Sequence, residues 1–268
     1  MGKAFILGLG AQKCGTTWLH QLLSQDAHFA AGLMKEYHVW DALDIPVLYG
    51  NRTRPLHGNE ARKIRHAMQN REGFYFEYFS SLLEGPATIT ADITPSYSGL
   101  SLWRLARIKA GFEQREIDCK TVFLIRDPVE RDKSAVHFNL NRNSRSEGIS
   151  PGTQDYCKAL SQYYMSSHAK LRSSYHETIT NIQNCFDPAN VFIGIYESMF
   201  EPENVEKLCA FLRIGVPPGF SKIKYNETGG ARPSCPELEL QMRSHYRDVY
   251  EFCFDTIPET RQVWSSVE

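Results

Sequence analysis

The chain has 268 residues, of which 42% are hydrophobic and 23% are charged, and its formal net charge is −1. This size and composition are typical of a globular protein with one large core, and we expect a single domain over residues 1–268. A net charge this small excludes a protein that binds nucleic acid or an anionic membrane over its whole surface, so any basic site must be local.

The cysteines and the apolar runs predict a cytoplasmic enzyme. Seven cysteines are present and none forms a CxxC pair, which indicates neither a zinc site nor a dense disulfide framework. Reduced thiols are therefore the simplest expectation. Because no run of about 18 apolar residues occurs and the first apolar strand begins at residue 4, we expect no signal peptide and no membrane span. A luminal domain cut from its anchor would have a similar composition.

Short apolar runs alternate along the chain with segments of helical periodicity. The predicted strands are 4–9, 87–91, 121–125 and 191–196, and the predicted helices are 16–24, 59–70, 99–110, 127–142, 154–185, 203–213 and 238–254. This alternation predicts an α/β fold of three layers, with a central parallel sheet between helices. Ligands of such sheets bind beyond the carboxyl ends of the strands, so functional residues should follow the strands directly.

The first strand leads into a turn rich in small residues, within the stretch FILGLGAQKCGTTWL at 5–19. Gly10 and Gly15 keep the four-residue gap of the Gly-x-x-x-x-Gly-Lys-Ser/Thr phosphate loop. Unpaired amides at the positive end of a helix dipole bind phosphate in such loops. Thr16 stands where the lysine should follow the second glycine, and the loop's lysine is Lys13. The motif therefore indicates a mononucleotide that carries something other than a triphosphate.

A second motif, TVFLIRDPVERDKSAVHF, occupies residues 121–138. Arg126 follows the predicted strand, and Pro128 suits the first turn of the helix that comes next. Arg131 and Ser134 are three residues apart on that helix and are expected to share a face. A guanidinium group and a hydroxyl group together make a good phosphate clamp. The motif therefore predicts a phosphate site formed by Arg126 and Ser134.

Together these motifs resemble those of the PAPS-dependent sulfotransferases, where PAPS is 3′-phosphoadenosine 5′-phosphosulfate. GAQKCGTTWL resembles the family's 5′-phosphosulfate loop, and IRDPVERDKS is similar to its 3′-phosphate motif. MKEYHVW at 34–40 resembles a segment of the heparan-sulfate, Golgi-type and related bacterial branch rather than the cytosolic steroid and phenol branch. Further similar segments are ADITPSY at 91–97, VFIGIYESMFEPENVEKLCAFL at 191–212 and GGARP at 229–233.

The resemblance implies PAPS as the sulfuryl donor, PAP as the product and no metal ion. The residues implied to bind PAPS are Gln12, Lys13, Cys14, Gly15, Thr16, Thr17 and Trp18 in the loop, Arg126 and Ser134 at the 3′-phosphate, and Arg232 in a late loop. Lys13 is also implied in catalysis, because its charge near the leaving oxygen would stabilise the transition state.

The resemblance implies Glu36 as the catalytic base, since a carboxylate within hydrogen-bond reach of the acceptor can take its proton. His38 is the rival base. Ile93 stands where glycosaminoglycan-type members have lysine, which argues against a highly anionic polysaccharide acceptor. Candidates for contact with the acceptor are Lys35, His38, Asp92 and Tyr97.

The predicted reaction is transfer of a sulfuryl group from PAPS to a hydroxyl or amine of a small molecule, sugar, lipid or peptide. One alternative is a P-loop kinase or NTPase in which Thr17 and Asp127 serve the magnesium ion. Against it, Thr16 replaces the loop lysine and Pro128 follows Asp127. The other alternative is an inactive nucleotide-binding module.

Overall fold

The computed structural model describes residues 2–53, 59–142, 147–150, 152–220 and 233–264. Within them the strands are β1 (Ala4–Gly10), β2 (Phe29–Ala30), β3 (Ile89–Ile93), β4 (Asp118–Ile125) and β5 (Val191–Ile195). They form one sheet in the order β2-β3-β1-β4-β5, and every pairing is parallel. The predicted α/β class and parallel sheet are therefore confirmed, with β1 at the centre.

Helices connect the strands and continue beyond the last one. They are α1 (Thr16–Leu23), α2 (Trp40–Asp44), α3 (Glu60–Asn70), α4 (Phe74–Leu82), α5 (Leu102–Glu113), α6 (Pro128–Asn141), α7 (Tyr156–Tyr164), α8 (Ser167–Ser173), α9 (Tyr175–Cys185), α10 (Pro202–Leu212), α11 (Pro236–His245), α12 (Arg247–Thr256) and α13 (Thr260–Val263). Short 3-10 helices lie at Pro46–Asn51, Pro95–Gly99 and Pro188–Asn190. No helix in the described part of the chain is both long and apolar enough to cross a bilayer.

Two long predicted helices are divided in the structure. The segment 154–185 forms α7, α8 and α9, because Ser166 caps a new helix by accepting a hydrogen bond from the Ala169 amide. The backbone of Ser174, with ψ of 60°, separates α8 from α9. The segment 238–254 is likewise divided at Tyr246 into α11 and α12.

The core lies on both faces of the sheet, since every residue of β1 and β3 is buried. Phe5 of β1 stacks on Phe112 of α5 with ring centroids 3.9 Å apart, and Phe79 of α4 lies 4.8 Å from it. Tyr75 of α4 joins the same aromatic cluster. Tyr75 and Phe79 therefore anchor α4 in the core.

A disulfide joins Cys157 of α7 to Cys235, the residue before α11, with Cα atoms 5.9 Å apart. The expectation of reduced thiols is wrong for this pair. The two cysteines are separated by 78 positions, and no spacing motif in the sequence connects them. The bond fixes the start of α11 to α7.

Candidate active site

A cavity of about 320 Å³ opens beyond the carboxyl ends of the strands. Residues after β1, β3, β4 and β5 contribute to its wall, among them Thr16, Pro95, Arg126 and Tyr196. This is the position at which parallel α/β sheets bind ligands. The cavity therefore lies where the sequence predicts functional residues.

The turn between β1 and α1 forms one side of the cavity. Gly10 and Gly15 have φ values of 105° and 93°, which side chains rarely adopt. A Cβ atom on Gly10 would collide with the carbonyl oxygen of Pro95. Gly15 is the N-cap of α1 and has no side chain to satisfy the first amides of the helix. These amides, together with the helix dipole, make the start of α1 an anion site.

Lys13 occupies the left-handed region with φ of 69°. A residue other than glycine in this region is held there by its surroundings, as is common at functional sites. Its ammonium group lies 4.2 Å from the centroid of the Phe138 ring, and both residues line the cavity. The strained turn thus places the loop's lysine on the cavity wall beside α6.

Cys14 lies behind the loop rather than on the cavity wall. Its side chain is fully buried, and Sγ lies 3.9 Å from the Tyr175 hydroxyl. Burial raises the pKa of the Cys14 thiol to about 12, so the thiol is neutral. Its amide donates to the Ala11 carbonyl over 3.2 Å. The Cys14 side chain therefore shapes the turn, and its contact with a ligand stays a prediction.

Trp18 gives the cavity an aromatic wall. Its ring packs against Phe200 and Phe220, with centroids 5.4 and 5.3 Å away. The indole Nε1 is buried and has no hydrogen-bond acceptor among the described residues. Because a buried donor without an acceptor costs free energy, this atom fits a site that is completed by a ligand.

Arg126 and Ser134 reach the same cavity from β4 and α6. Asp127 caps α6 by accepting from the Glu130 amide over 3.0 Å, which fixes the turn after Arg126. The Arg126 guanidinium stacks over the Tyr196 ring at 4.4 Å and donates to the Lys13 carbonyl over 3.4 Å. The structure thus brings the second motif against the first, as the sequence predicts.

Arg131 does not face the cavity with Ser134, so that expectation is wrong. Its side chain is completely buried and donates to the Ser173 and Tyr163 hydroxyls over 2.7 and 3.3 Å. It also pairs with Asp132, which accepts from the Tyr246 hydroxyl over 2.6 Å. Positions three apart on a helix differ by about 60° around its axis. That angle is enough for one side chain to face the cavity and the other the interior.

The segment after β2 brings the charged side chains of Lys35, Glu36 and His38 to another part of the cavity wall. Lys35 Nζ lies 2.8 Å from Glu36 Oε1. Glu36 Oε2 lies 3.3 Å from His38 Nε2, and His38 Nδ1 lies 2.7 Å from Asp41 Oδ2. Lys35 also donates to the hydroxyl groups of Thr16 and Thr17 over 3.3 and 3.2 Å. Lys35 therefore links the start of α1 to Glu36, the predicted base.

Glu36 and His38 have different protonation states, because their surroundings shift their pKa values in opposite directions. Burial raises the pKa of Glu36, but the His38 hydrogen bond and the Lys35 charge outweigh it and lower that pKa to about 2. Burial lowers the pKa of His38, but its bonds to Asp41 and Glu36 raise that pKa to about 9. At neutral pH Glu36 is a carboxylate that can accept a proton, whereas His38 is an imidazolium that cannot.

The sequence reasoning missed Asp41 and Ser96. Asp41 is fully buried and accepts from the Ser96 hydroxyl over 2.5 Å and from the Ala42 amide over 2.9 Å. Ser96 lines the cavity. The position of Asp41 three residues after His38 was an available signal, but the contact with Ser96 depends on the packing of the segment that follows β3.

Two further cations on the wall were also missed. Arg142 ends α6 and stacks on Phe138 at 4.3 Å. Arg172 of α8 is almost fully buried and pairs with Glu147 over 2.7 Å. Arg142 follows Ser134 by eight residues, a helical spacing that the sequence offered, whereas Arg172 reaches the cavity only through tertiary packing.

Asp92 and Tyr97 lie beneath the cavity and not on its wall. Asp92 is fully buried and accepts from the Thr94, Tyr97 and Tyr75 hydroxyls over 2.6, 2.9 and 3.0 Å. Burial raises the pKa of Asp92 to about 6. The Tyr97 hydroxyl also accepts from the Val39 amide over 3.1 Å. Both residues support the segment that carries Glu36 and His38, and their contact with an acceptor stays a prediction.

Apart from Cys14, Asp92 and Tyr97, the predicted site residues either line the cavity or lie outside the described part of the chain. The predicted residues that line the cavity are Gln12, Lys13, Gly15, Thr16, Thr17, Trp18, Lys35, Glu36, His38, Arg126 and Ser134. Arg232, predicted to add charge from a late loop, lies outside the described residues.

Comparison with known proteins gives a consistent result. Residues 3–224 match the model of a family described as "Sulfotransferase domain". A sulfotransferase from Alicyclobacillus acidocaldarius is similar with a TM-score of 0.61 at 17% identity, over 96% of this chain and 96% of that one. At this identity the likeness shows the fold alone. No curated protein matches the chain.

Other solved structures are similar at lower scores. Sulfotransferase STF9 from Mycobacterium avium has a TM-score of 0.49 at 14% identity, over 92% of this chain and 76% of that one. Mouse sulfotransferase SULT7A1, complexed with PAP, has a TM-score of 0.47 at 14% identity, over 98% of this chain and 88% of that one.

Proposed function

This chain belongs to the sulfotransferase domain family, and we propose that it moves a sulfuryl group from PAPS to a hydroxyl or amine of an acceptor. The observation that carries the proposal is the meeting of three groups in one cavity. The cradle at Gly15–Trp18, the pair Arg126 and Ser134, and the carboxylate of Glu36 all line it. These groups fit two separate phosphates and one proton transfer.

The donor fits the cradle because it has no γ-phosphate. The start of α1, with the hydroxyl groups of Thr16 and Thr17, would hold the 5′-phosphate without a lysine directly after Gly15. Arg126 and Ser134 would hold the 3′-phosphate through charge-assisted hydrogen bonds. Lys13 would lie near the oxygen between phosphorus and sulfur, where a cation stabilises the charge that develops on the leaving group.

The reaction is an in-line exchange at sulfur with Glu36 as the base. The acceptor oxygen or nitrogen forms a bond to sulfur while the bond from sulfur to the bridging phosphate oxygen breaks. The electron pair of the broken bond stays on PAP, and the acceptor proton passes to the Glu36 carboxylate. His38, held as an imidazolium by Asp41, keeps the carboxylate ionised and oriented.

The surroundings of Asp127 disfavour the kinase alternative. One carboxylate oxygen of Asp127 accepts from the Glu130 amide and the Tyr250 hydroxyl, each over 3.0 Å. The other lies 3.6 Å from an Arg243 nitrogen. A carboxylate engaged by a helix cap, a tyrosine and an arginine is a structural group, and it would have to give up these partners to serve a magnesium ion.

The test is a transfer screen with PAPS labelled on the sulfuryl group. Hydroxyl and amine compounds from the small-molecule, sugar, lipid and peptide classes are offered, with Glu36→Gln protein as the matched control. We expect label on at least one class with the wild-type protein and almost none with the variant. Failure to form either PAP or a labelled product with any class would contradict the proposed function.

A further inference from the structure

The ammonium group of Lys35 lies between two parts of the cavity that have different tasks. On one side it donates to Thr16 and Thr17 Oγ1 over 3.3 and 3.2 Å, and on the other it lies 2.8 Å from Glu36 Oε1. Its side chain is only 20% exposed. One cation therefore serves both the phosphate cradle and the carboxylate that faces the acceptor.

The backbone fixes Lys35 and Glu36 in this position. The Lys35 carbonyl accepts from the Ile93 amide of β3 over 3.0 Å. The Glu36 carbonyl accepts from Arg65 Nη2 of α3 over 2.8 Å. With both main chains held by neighbouring elements, any adjustment falls to the side chains, and of the two only Lys35 contacts Thr16 and Thr17 among the described residues.

The loop itself explains why a shared cation is useful. Thr16 follows Gly15 where a phosphate loop would have lysine, and Lys35 Nζ contacts the hydroxyl group of that threonine. Lys35 thus delivers from a different segment a positive charge that the loop does not supply at this position. An anion in the cradle and the carboxylate of Glu36 would compete for it, because both are attracted to the same ammonium group.

We propose that Lys35 couples donor binding to the strength of the base: a phosphate group in the cradle draws the ammonium away from Glu36, which then becomes a better proton acceptor. The inference rests on the proposed function and adds to it a role for Lys35. Glu36 would be held as a weak base by Lys35 until a donor is present, so base strength and donor occupancy would rise together.

The other charged groups around Glu36 do not replace Lys35 as the partner shared between Glu36 and the cradle. His38 faces it from the same segment and is itself tied to Asp41. His20 of α1 faces both Lys35 and Glu36, and burial together with the Lys35 charge lowers its pKa, which keeps it neutral. Arg65 reaches only the Glu36 carbonyl among the atoms of that residue. Lys35 is therefore the partner of the carboxylate that also contacts the cradle.

A double-mutant cycle on PAP affinity tests the coupling without measuring turnover. PAP binding is measured by isothermal titration for the wild type, Glu36→Gln, Lys35→Met and the double variant. Removing the Glu36 charge releases Lys35 to the cradle, so Glu36→Gln should bind PAP about fivefold more tightly, the upper range for a partly exposed ion pair. In the Lys35→Met background the same change should leave the affinity of PAP unaltered.

The outcomes separate the coupling from the simpler alternatives. An equal gain in both backgrounds would mean that Glu36 merely repels the ligand, and no gain in either would mean that the lysine is not shared; each result overturns the coupling. A wild-type protein that does not bind PAP at all overturns the proposed function and the coupling with it. Lys35→Arg, which keeps the charge, should retain part of the Glu36→Gln gain, and its melting temperature controls for folding.

Discussion

The two walls of the cavity are formed by different kinds of chemical group. The wall at the start of α1 consists of main-chain amides, two threonine hydroxyl groups and, beside them, the guanidinium of Arg126. The other wall carries Glu36 and His38, which are 3.3 Å apart, and the buried Asp41 lies 2.7 Å from His38 behind this wall.

The difference implies that mutations on the two walls should have different consequences. A cradle of amides comes from the backbone turn, so a single side-chain change there should weaken binding without removing it. The wall that carries Glu36 depends on one carboxylate, the proposed base, whose charge and direction are set by its neighbours. A single change there should remove the reaction while leaving ligand binding intact.

Loss of the base should give the largest effect. Glu36→Gln keeps the shape of the side chain and removes its basicity, and we expect turnover to fall by about two to four orders of magnitude. PAP binding should not weaken. Steady-state kinetics with an accepted substrate and titration with PAP check the two parts. Near-normal turnover in Glu36→Gln, beside an inactive His38→Ala enzyme, would assign the base role to His38.

The two arginines of the second motif should have different effects when mutated: Arg131 on the stability of the fold and Arg126 on ligand binding. Arg131 is buried with Asp132, so Arg131→Met leaves an unpaired buried carboxylate. We expect the free energy of unfolding to fall by about 3–5 kcal/mol, the usual cost of breaking a buried pair. Urea denaturation measures this change. A variant as stable as the wild type would show that the pair is not buried as described.

Arg126, five residues earlier, should affect binding instead. Arg126→Ala should weaken PAP binding by about 2–5 kcal/mol, the range for losing one member of a desolvated charge pair. Adenosine 5′-phosphosulfate, which has no 3′-phosphate, is the matched ligand and should lose much less affinity. Equal losses for the two ligands in titration would refute the assignment of Arg126 to the 3′-phosphate.

The smallest expected effect is a pH dependence of stability from His38. Its folded pKa of about 9 lies above the ordinary 6.5, so its contribution is complete below pH 6.5 and disappears as the pH rises through 9. His38→Gln should flatten the loss of stability over this interval in urea denaturation. His20→Gln is the control, because the His20 pKa is lowered and its effect falls on the acid side. An unchanged slope in His38→Gln would contradict the raised pKa.

The sequence predicted the wall at the start of α1 better than the wall that carries Glu36. The turn at Gly10–Trp18 is contiguous, and Gly10 and Gly15 have positive φ values that favour glycine, so both its shape and its position after β1 could be predicted. Arg126 follows a strand that ends at Ile125 as expected. In each case the position depends on strand and turn signals within a few residues.

The wall that carries Glu36 depends on contacts between segments that follow different strands. Ser96 reaches Asp41 from the segment after β3, and the sharing of Lys35 with Thr16 and Thr17 depends on how the segment after β2 packs against α1. Periodicity also could not distinguish Arg131 from Ser134, because a helical face is wide enough to include both the cavity and the interior. The disulfide between Cys157 and Cys235 had no sequence signal, because the two cysteines are 78 positions apart.

The most direct test of the proposed function compares two nucleotides on the wild-type protein. Isothermal titration with PAP and with ATP and magnesium asks whether the cavity recognises a 3′-phosphate or a triphosphate. We predict that PAP binds clearly more tightly and raises the melting temperature more, because a ligand selective for the folded state stabilises it by mass action. Tighter binding of ATP with magnesium, and a larger thermal shift with it, would contradict the assignment of this cavity to PAPS.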